Sequence, residues 1–190
     1  RENQIKIKGI IHPLEMQLDP TFSLTGWLRV HSDAKVILID MHWYEHCFGA
    51  IDTARLCKEI NPNAWVVLGG LSATGFAREI LAEFPAVDFI VRGDAEKPLL
   101  ELVQTLLGEE DRGAAFEKAT RISNLAFRGP DGVVENPELY IATTEDLDRL
   151  NFVDLDFLEH SREYFVHEYI VTDLVMARKM LNETTPNLGR

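Results

Sequence analysis

Apolar positions follow two different periods over the first two thirds of the chain. Short aliphatic runs at residues 35–41 (KVILIDM), 64–68 (AWVVL) and 87–91 (VDFIV) have the length and branched-residue content of buried strands. Between them the spacing changes to three and four. Ala50, Ile51, Ala54, Cys57 and Ile60 form one stripe, with Asp52, Arg55, Lys58 and Glu59 opposite. Phe76, Ile80, Leu81 and Phe84 form a second stripe, and Leu99, Leu102, Val103 and Leu106 a third. Asn61-Pro62-Asn63, Pro85 and Gly108 stop these helices, while Ser72 and Asp94 stand where N-caps are needed. The alternation predicts an α/β fold, a parallel sheet with helices on both faces.

The flanks read differently. Residues 5–11 (IKIKGII) alternate and then run apolar, which predicts a further strand. Residues 12–20 hold two prolines and read as a connection. A helix-like piece starts at Asp19-Pro20, is expected to turn Phe22, Leu24, Trp27, Leu28 and Val30 inward, and breaks at Ser32-Asp33. After Glu109 the pattern changes. Residues 124–128 and 133–136 flank Gly129-Pro130-Asp131-Gly132, a hairpin signal. Residues 146–156 are acidic and studded with Leu, an extended linker; residues 157–181 read as helix and 182–190 as a polar end. The expected organisation is an α/β domain over 1–120, a hairpin and linker over 121–158, and a helical extension over 159–190.

Charge removes several partners. The 190 residues carry 19 basic and 31 acidic side chains, a net −12, with 46% hydrophobic residues. An acidic surface argues against non-specific nucleic-acid binding, which needs a basic face, and against docking on an anionic membrane. No run approaches the roughly 18 apolar residues of a membrane span. No signal-peptide pattern opens the chain, so a cytoplasmic protein is expected. Cys47 and Cys57 fall on one predicted helix, about 15 Å apart along its axis, too far to bridge. They read as two reduced thiols, with Cys57 mid-helix, buried and inert. The first residue is Arg, so the chain reads as an excerpt or a processed product.

Open α/β sheets place ligands at the C-terminal ends of their strands. Three such ends carry chemistry here. The first holds Asp40, His42, Trp43, Glu45 and His46 and opens into a helix near Gly49. The second is Gly69-Gly70 followed by Ser72 and Thr74; the third is Arg92-Gly93-Asp94. Gly69-Gly70 could admit a ligand to the backbone, or could be a tight turn that needs positive φ. It is neither a dinucleotide fingerprint nor a P-loop. Trp43 and Tyr44 could wall a large planar ligand, or could be core residues at a strand end. His42 and His46 with Glu45 have the spacing of a metal-hydrolase pair on a helix, but HEXXH is missing and no third ligand is evident. A non-catalytic flavodoxin-like sensor is a second alternative, with Asp40 as its one good acidic group at a strand end.

Taken together and in order, these stretches resemble a known family. Asp40-x-His42-Trp43-x-x-His46-x-x-Gly49, then Val67-Leu68-Gly69-Gly70-Leu71-Ser72-Ala73-Thr74, then Val87-Asp88-Phe89-Ile90-Val91-Arg92-Gly93-Asp94 with Glu96-Lys97-Pro98 are similar to the cobalamin-binding domain of cobalamin-dependent radical S-adenosylmethionine proteins. Asn124-Leu125-Ala126-Phe127 and the segment 147–155 resemble the lead into their barrel. The resemblance spans roughly residues 5–158. It implies a Rossmann-like, flavodoxin-type sheet with cobalamin held over the strand C-termini. Asp40, His42, Trp43, His46, Gly49, Gly69, Gly70, Ser72, Thr74, Arg92 and Gly93 would contact it. It also implies a radical S-adenosylmethionine barrel in the same polypeptide, binding a [4Fe-4S] cluster and S-adenosylmethionine, with cobalamin relaying a methyl group or supporting related radical chemistry.

The chain departs from the family in three ways. The barrel's Cys-x3-Cys-x2-Cys triplet is absent, so a fragment that ends before the barrel, not catalytic alone, is expected. Residues 5–11 are similar to the family's second strand, which puts its first strand and helix upstream of Arg1. The Asp-x-His-x-x-Gly motif that supplies an axial histidine in cobalamin mutases is not met. Glu45 stands where Gly is required after His42, and Tyr44 where Asp is required before His46. Cobalamin without a protein imidazole is the expected state.

Overall fold

The computed structural model describes residues 5–151 and 154–168. In chain order the elements are α1 (His12–Leu18), α2 (Leu24–Val30), β1 (Val36–Asp40), a 3-10 turn (Tyr44–His46), α3 (Cys47–Ile60), β2 (Trp65–Gly69), α4 (Leu71–Gly75), α5 (Ala77–Glu83), β3 (Phe89–Val91), α6 (Glu96–Gly108), α7 (Arg112–Ala119), β4 (Leu125–Gly129), β5 (Gly132–Glu135), α8 (Thr144–Asp148) and α9 (Ser161–Glu168). They group into two compact units. One is Thr25–Leu147; the other joins the described parts of Arg1–Leu24 and Asp148–Arg190.

The larger unit holds a five-stranded sheet in the order β1-β2-β3-β4-β5. β1, β2 and β3 run parallel, as expected for short apolar strands joined by helices. β4 and β5 add antiparallel strands to β3, so the hairpin extends the same sheet. Side chains alternate across it. Trp65, Val67, Phe89, Val91, Leu125 and Phe127 pack on one face with Leu102 and Leu106 of α6 and Ala115 and Ala119 of α7. Val66, Leu68, Ile90 and Ala126 are buried on the other face, where α3, α4 and α5 pack. Phe89 and Leu68 are fully buried, each contributing about 1.5–3 kcal/mol of apolar burial.

At the N-terminal edge of the sheet, Asp88 is the tie. One of its oxygens accepts from Lys58 Nζ at 2.6 Å and from the Val66 N–H at 2.7 Å; the other faces Arg112 at 3.4 Å. Lys58 and Asp88 are both largely buried, so this pair is less screened than a surface salt bridge.

Several expectations change. The strand expected over residues 5–11 is one parallel bridge between Gly9 and Leu158, and Ile7 is exposed. Alternation needs a neighbouring strand to become β structure, and only Gly9 finds one. The connection expected at residues 12–20 contains α1, because Pro13 fits a helix's first turn, where its missing N–H costs nothing. The helix expected from Asp19 begins at Leu24. The second stripe splits into α4 and α5 at Phe76, whose φ of −115° and ψ of 24° leave the helical range and whose ring faces solvent. α7 was not expected; Asp111 caps it by accepting from the Ala114 N–H at 2.6 Å. The linker expected at residues 146–156 overlaps the short helix α8. The helix expected over 157–181 is described only as α9; residues 169–190 lie outside the described residues.

Candidate functional site

Parallel strands bring their C-terminal ends to one edge. Asp40 is in register with Gly69, and Leu68 with Ile90, so the loops after β1, β2 and β3 emerge side by side. Main-chain bonds then weld the first two. Met41, 1% exposed, donates its N–H to Gly69 O at 2.8 Å, and its carbonyl accepts from the Ala73 N–H at 3.2 Å. The His42 carbonyl accepts from the Ser72 N–H at 3.1 Å and from Ser72 Oγ at 3.0 Å.

The two glycines play different parts. Gly70 has φ of +107°, and a Cβ there would lie 2.8 Å from both His42 N and Met41 C. It is required by the left-handed backbone and by the neighbouring loop. A Cβ on Gly69 would meet nothing within 4 Å. Gly69 is the one that faces open space, where a ligand can reach the backbone. The expectation that either glycine admits a ligand therefore divides: Gly70 locks the loops and Gly69 leaves the gap.

Thr74 joins the third loop. Its Oγ1 accepts from the Gly93 N–H at 3.2 Å, which leaves its own O–H as a donor. Ser72 Oγ spends its proton on the His42 carbonyl, which leaves it as an acceptor. The two hydroxyls thus offer opposite polarities. Gly93 has φ of +62°, and a Cβ there would lie 3.0 Å from a Glu138 oxygen.

Arg92 turns towards the hairpin. Its guanidinium donates to Glu138 Oε1 at 2.6 Å and to the Asn136 carbonyl at 3.3 Å, and lies 3.3 Å from Glu135 Oε2. Asn124, fully buried with φ of +63°, holds the rest of this loop. Its Nδ2 donates to the carbonyls of Arg92, Asp94 and Tyr140, and its Oδ1 accepts from the Tyr140 N–H. Asn124, Glu138 and Tyr140 were not among the expected site residues. A local sequence signal existed only for Asn124, since Asn tolerates the left-handed region better than most residues.

Around this edge lies an apolar collar. Trp43, Tyr44, Phe48, Leu71 and Phe76 are all more than half exposed. The half-buried His42 sets its ring edge-on to Trp43, with centroids 4.8 Å apart. Asp40 is exposed at the end of β1, while His46 and Gly49 are exposed further along, on the 3-10 turn and in α3. Exposed apolar residues are ordinary one by one; these five all lie in the segments that follow β1 and β2. His42, Glu45 and His46 do not make a metal site: among the described residues no group of three or more His, Cys, Asp or Glu side chains is placed to hold an ion.

A hollow of about 500 Å³ lined by Trp65, Asp88, Arg112, Gly113, Phe116 and Arg128 lies at the opposite strand ends. Its polar groups are occupied. Arg112 stacks 3.4 Å over the Trp65 ring and donates to Asn63 O, and Arg128 donates to the carbonyls of Leu81, Phe84, Pro85 and Val87. Its side chains brace the fold. Cys57 is also structural, since burial pushes its thiol up to about 11.

Residues 28–103 match the family model of the B12 binding domain. The match covers about two fifths of the chain and makes that segment similar to B12-binding domains. It runs from α2 into α6 and contains every expected contact residue from Asp40 to Gly93. Among curated relatives, an anaerobic magnesium-protoporphyrin IX monomethyl ester cyclase of Rubrivivax gelatinosus is 34% identical over 60% of this chain and 20% of its own length. The same enzyme of Cereibacter sphaeroides is 36% identical over 54% of the chain and 16% of its own length. An uncharacterised methyltransferase of Pyrococcus horikoshii is 37% identical over 35% of the chain and 15% of its own length. The aligned stretch is thus a fifth or less of these relatives. No helix among the described residues is long and apolar enough to cross a membrane.

Proposed function

We propose that the edge formed by the loops after β1, β2 and β3 holds a cobalamin, and that this domain serves a cobalamin-dependent radical S-adenosylmethionine enzyme. The observation that carries the reading is the open space over Gly69, beside the Met41–His42/Gly70–Ala73 weld, with Trp43, Tyr44, Phe48, Leu71 and Phe76 exposed in the segments that follow β1 and β2. A corrin is large, mostly apolar and fringed with amides. It fits an edge with exposed backbone, a hydroxyl donor, a hydroxyl acceptor and an apolar rim.

On this reading Gly69 and the collar would seat the ring and its edge. Thr74 Oγ1–H would donate to a ligand acceptor, and Ser72 Oγ would accept from a ligand N–H. Asp40, His42, His46 and Gly49 would line the first loop, and Gly93 the third; Arg92 would act by holding that loop. When bound, cobalamin supplies methyl transfer or related radical chemistry. Its corrin would be held by a preformed edge, with little reorganisation on binding. Cys47 and Cys57 both lie in this domain, so a [4Fe-4S] cluster and S-adenosylmethionine would be bound by a barrel of the same polypeptide. The relatives include a cyclase and a methyltransferase, which fits a domain that supplies the cofactor while the reaction is chosen elsewhere.

The test is retention. The polypeptide that contains this chain is mixed with hydroxocobalamin and desalted. Corrin absorbance that elutes with the protein in stoichiometric amount is expected. Protein that elutes without it overturns the proposal.

A further inference from the structure

The unit built from the two ends of the chain carries its own buried carboxylate. Glu15 of α1 is 3% exposed. Its Oε1 accepts a hydrogen bond from the Tyr164 hydroxyl of α9 and lies 2.7 Å from His160 Nδ1. The Tyr164 oxygen accepts from the Ile11 N–H at 3.2 Å. Beside them, the Gly9 N–H donates to Phe157 O at 2.8 Å and the Glu159 N–H to Gly9 O at 3.1 Å. Gly9 permits this bridge, since a Cβ there would lie 3.0 Å from the Phe157 ring.

A carboxylate removed from water must be offset by donors or a cation. Glu15 has one of each kind. Tyr164 is a fixed neutral donor, because burial, then its bond to Glu15, pushes its pKa up. His160 is 46% exposed at its side chain, so its ring exchanges protons freely with water while Nδ1 stays on Glu15. Only the histidine changes charge near neutral pH.

We propose that Glu15, His160 and Tyr164 form a proton-controlled clasp: protonated His160 holds residues 9–18 against residues 157–164, and loss of that proton loosens the hold. The hydrogen bond to Glu15 raises the His160 pKa, burial opposes it, and the charges of Glu15, Glu163 and Glu159 add to the rise. The groups facing the imidazole are thus Glu15 from α1 and Glu159, Glu163 and Tyr164 from its own stretch of chain. A group whose folded pKa is raised stabilises fully below its unfolded value, about 6.5 for His. That stabilisation is lost as pH rises through the folded value, so the clasp loosens on the alkaline side.

The test is hydrogen exchange of residues 9–18 in the whole chain at about pH 6 and about pH 8.5, on either side of the ordinary His value, corrected for intrinsic rates. Protection in the wild type is expected to fall severalfold at the higher pH. His160→Gln keeps a donor but cannot take a charge, and its protection is expected not to change with pH. Tyr164→Phe is expected to lower protection at both values and to keep the difference. A pH-independent wild type, or a His160→Gln variant with the wild-type difference, overturns the clasp. Should His160→Gln fail to fold, the His160 ring is titrated by NMR in the wild type and in Glu15→Gln. The proposal requires a raised pKa that falls back in the variant; the same pKa in both overturns it.

Discussion

Gly70 and His42 belong to adjacent loops that pass so closely that one added carbon does not fit. A Cβ on Gly70 would lie 2.8 Å from the His42 main-chain nitrogen and 2.9 Å from its Cα, and the Gly70 backbone is left-handed besides. Gly70→Val is therefore expected to destabilise the fold by about 3 kcal/mol, from strain and overpacking together. Denaturant unfolding of the variant checks this; an unchanged midpoint refutes the lock.

Gly69 separates binding from folding. A side chain there has free space, and its φ is not in the left-handed range. Gly69→Val is expected to keep the wild-type melting temperature and to lose most of its cobalamin retention after desalting. Wild-type retention in a stably folded Gly69→Val protein would remove Gly69 from the site.

These two glycines also show where sequence reasoning stops. The strands β1, β2 and β3 were legible within two residues because buried parallel strands are uninterrupted apolar runs flanked by helical stripes. The edge proposed for the site followed, since parallel strands must end together. Which glycine locks and which gapes depends on φ and on the approach of Met41 and His42 from the preceding loop, and neither leaves a mark in Gly69-Gly70 itself. Residues 5–11 misled because alternation describes a surface that can pair, not one that does. α7 was missed because eight residues rich in Ala carry little periodic signal. The pairing of Arg92 with Glu138 leaves no local signal because the two are 46 residues apart.

Thr74 links two loops and offers one free donor. Thr74→Val keeps the shape and removes both roles. The Gly93 N–H would lose its acceptor at an exposed position, a cost of about 1 kcal/mol. Cobalamin affinity, followed by absorbance titration, is expected to weaken severalfold, and Ser72→Ala to weaken it by loss of an acceptor. Wild-type affinity in both variants would exclude this hydroxyl pair from the contact.

The thiols should differ sharply. Cys57 is 1% exposed and its thiol is pushed up to about 11, whereas Cys47 is partly exposed at the start of α3. Iodoacetamide at about pH 8, well below the buried thiol's value, is expected to label Cys47 alone in the folded chain and both in denaturant. Equal labelling in the native protein would contradict the packing of α3.

Arg92 tests whether the third loop is held or holds. Its guanidinium is 16% exposed and spans Glu135, Asn136 and Glu138. Removing it leaves Glu138 without its cation, Glu135 keeping Arg78 at 2.8 Å, and frees the turn whose Gly93 sits on Thr74. Charged hydrogen bonds of this kind contribute about 1.5–3 kcal/mol, so Arg92→Ala is expected to lose about 2 kcal/mol in denaturant unfolding. Arg92→Lys restores a charge but not the fork that reaches three acceptors, and it is expected to recover less than half of that loss. If Arg92 positions the loop without touching the ligand, cobalamin affinity falls in proportion to the loss of stability in both variants. A wild-type midpoint with abolished binding would instead assign the guanidinium to the cofactor.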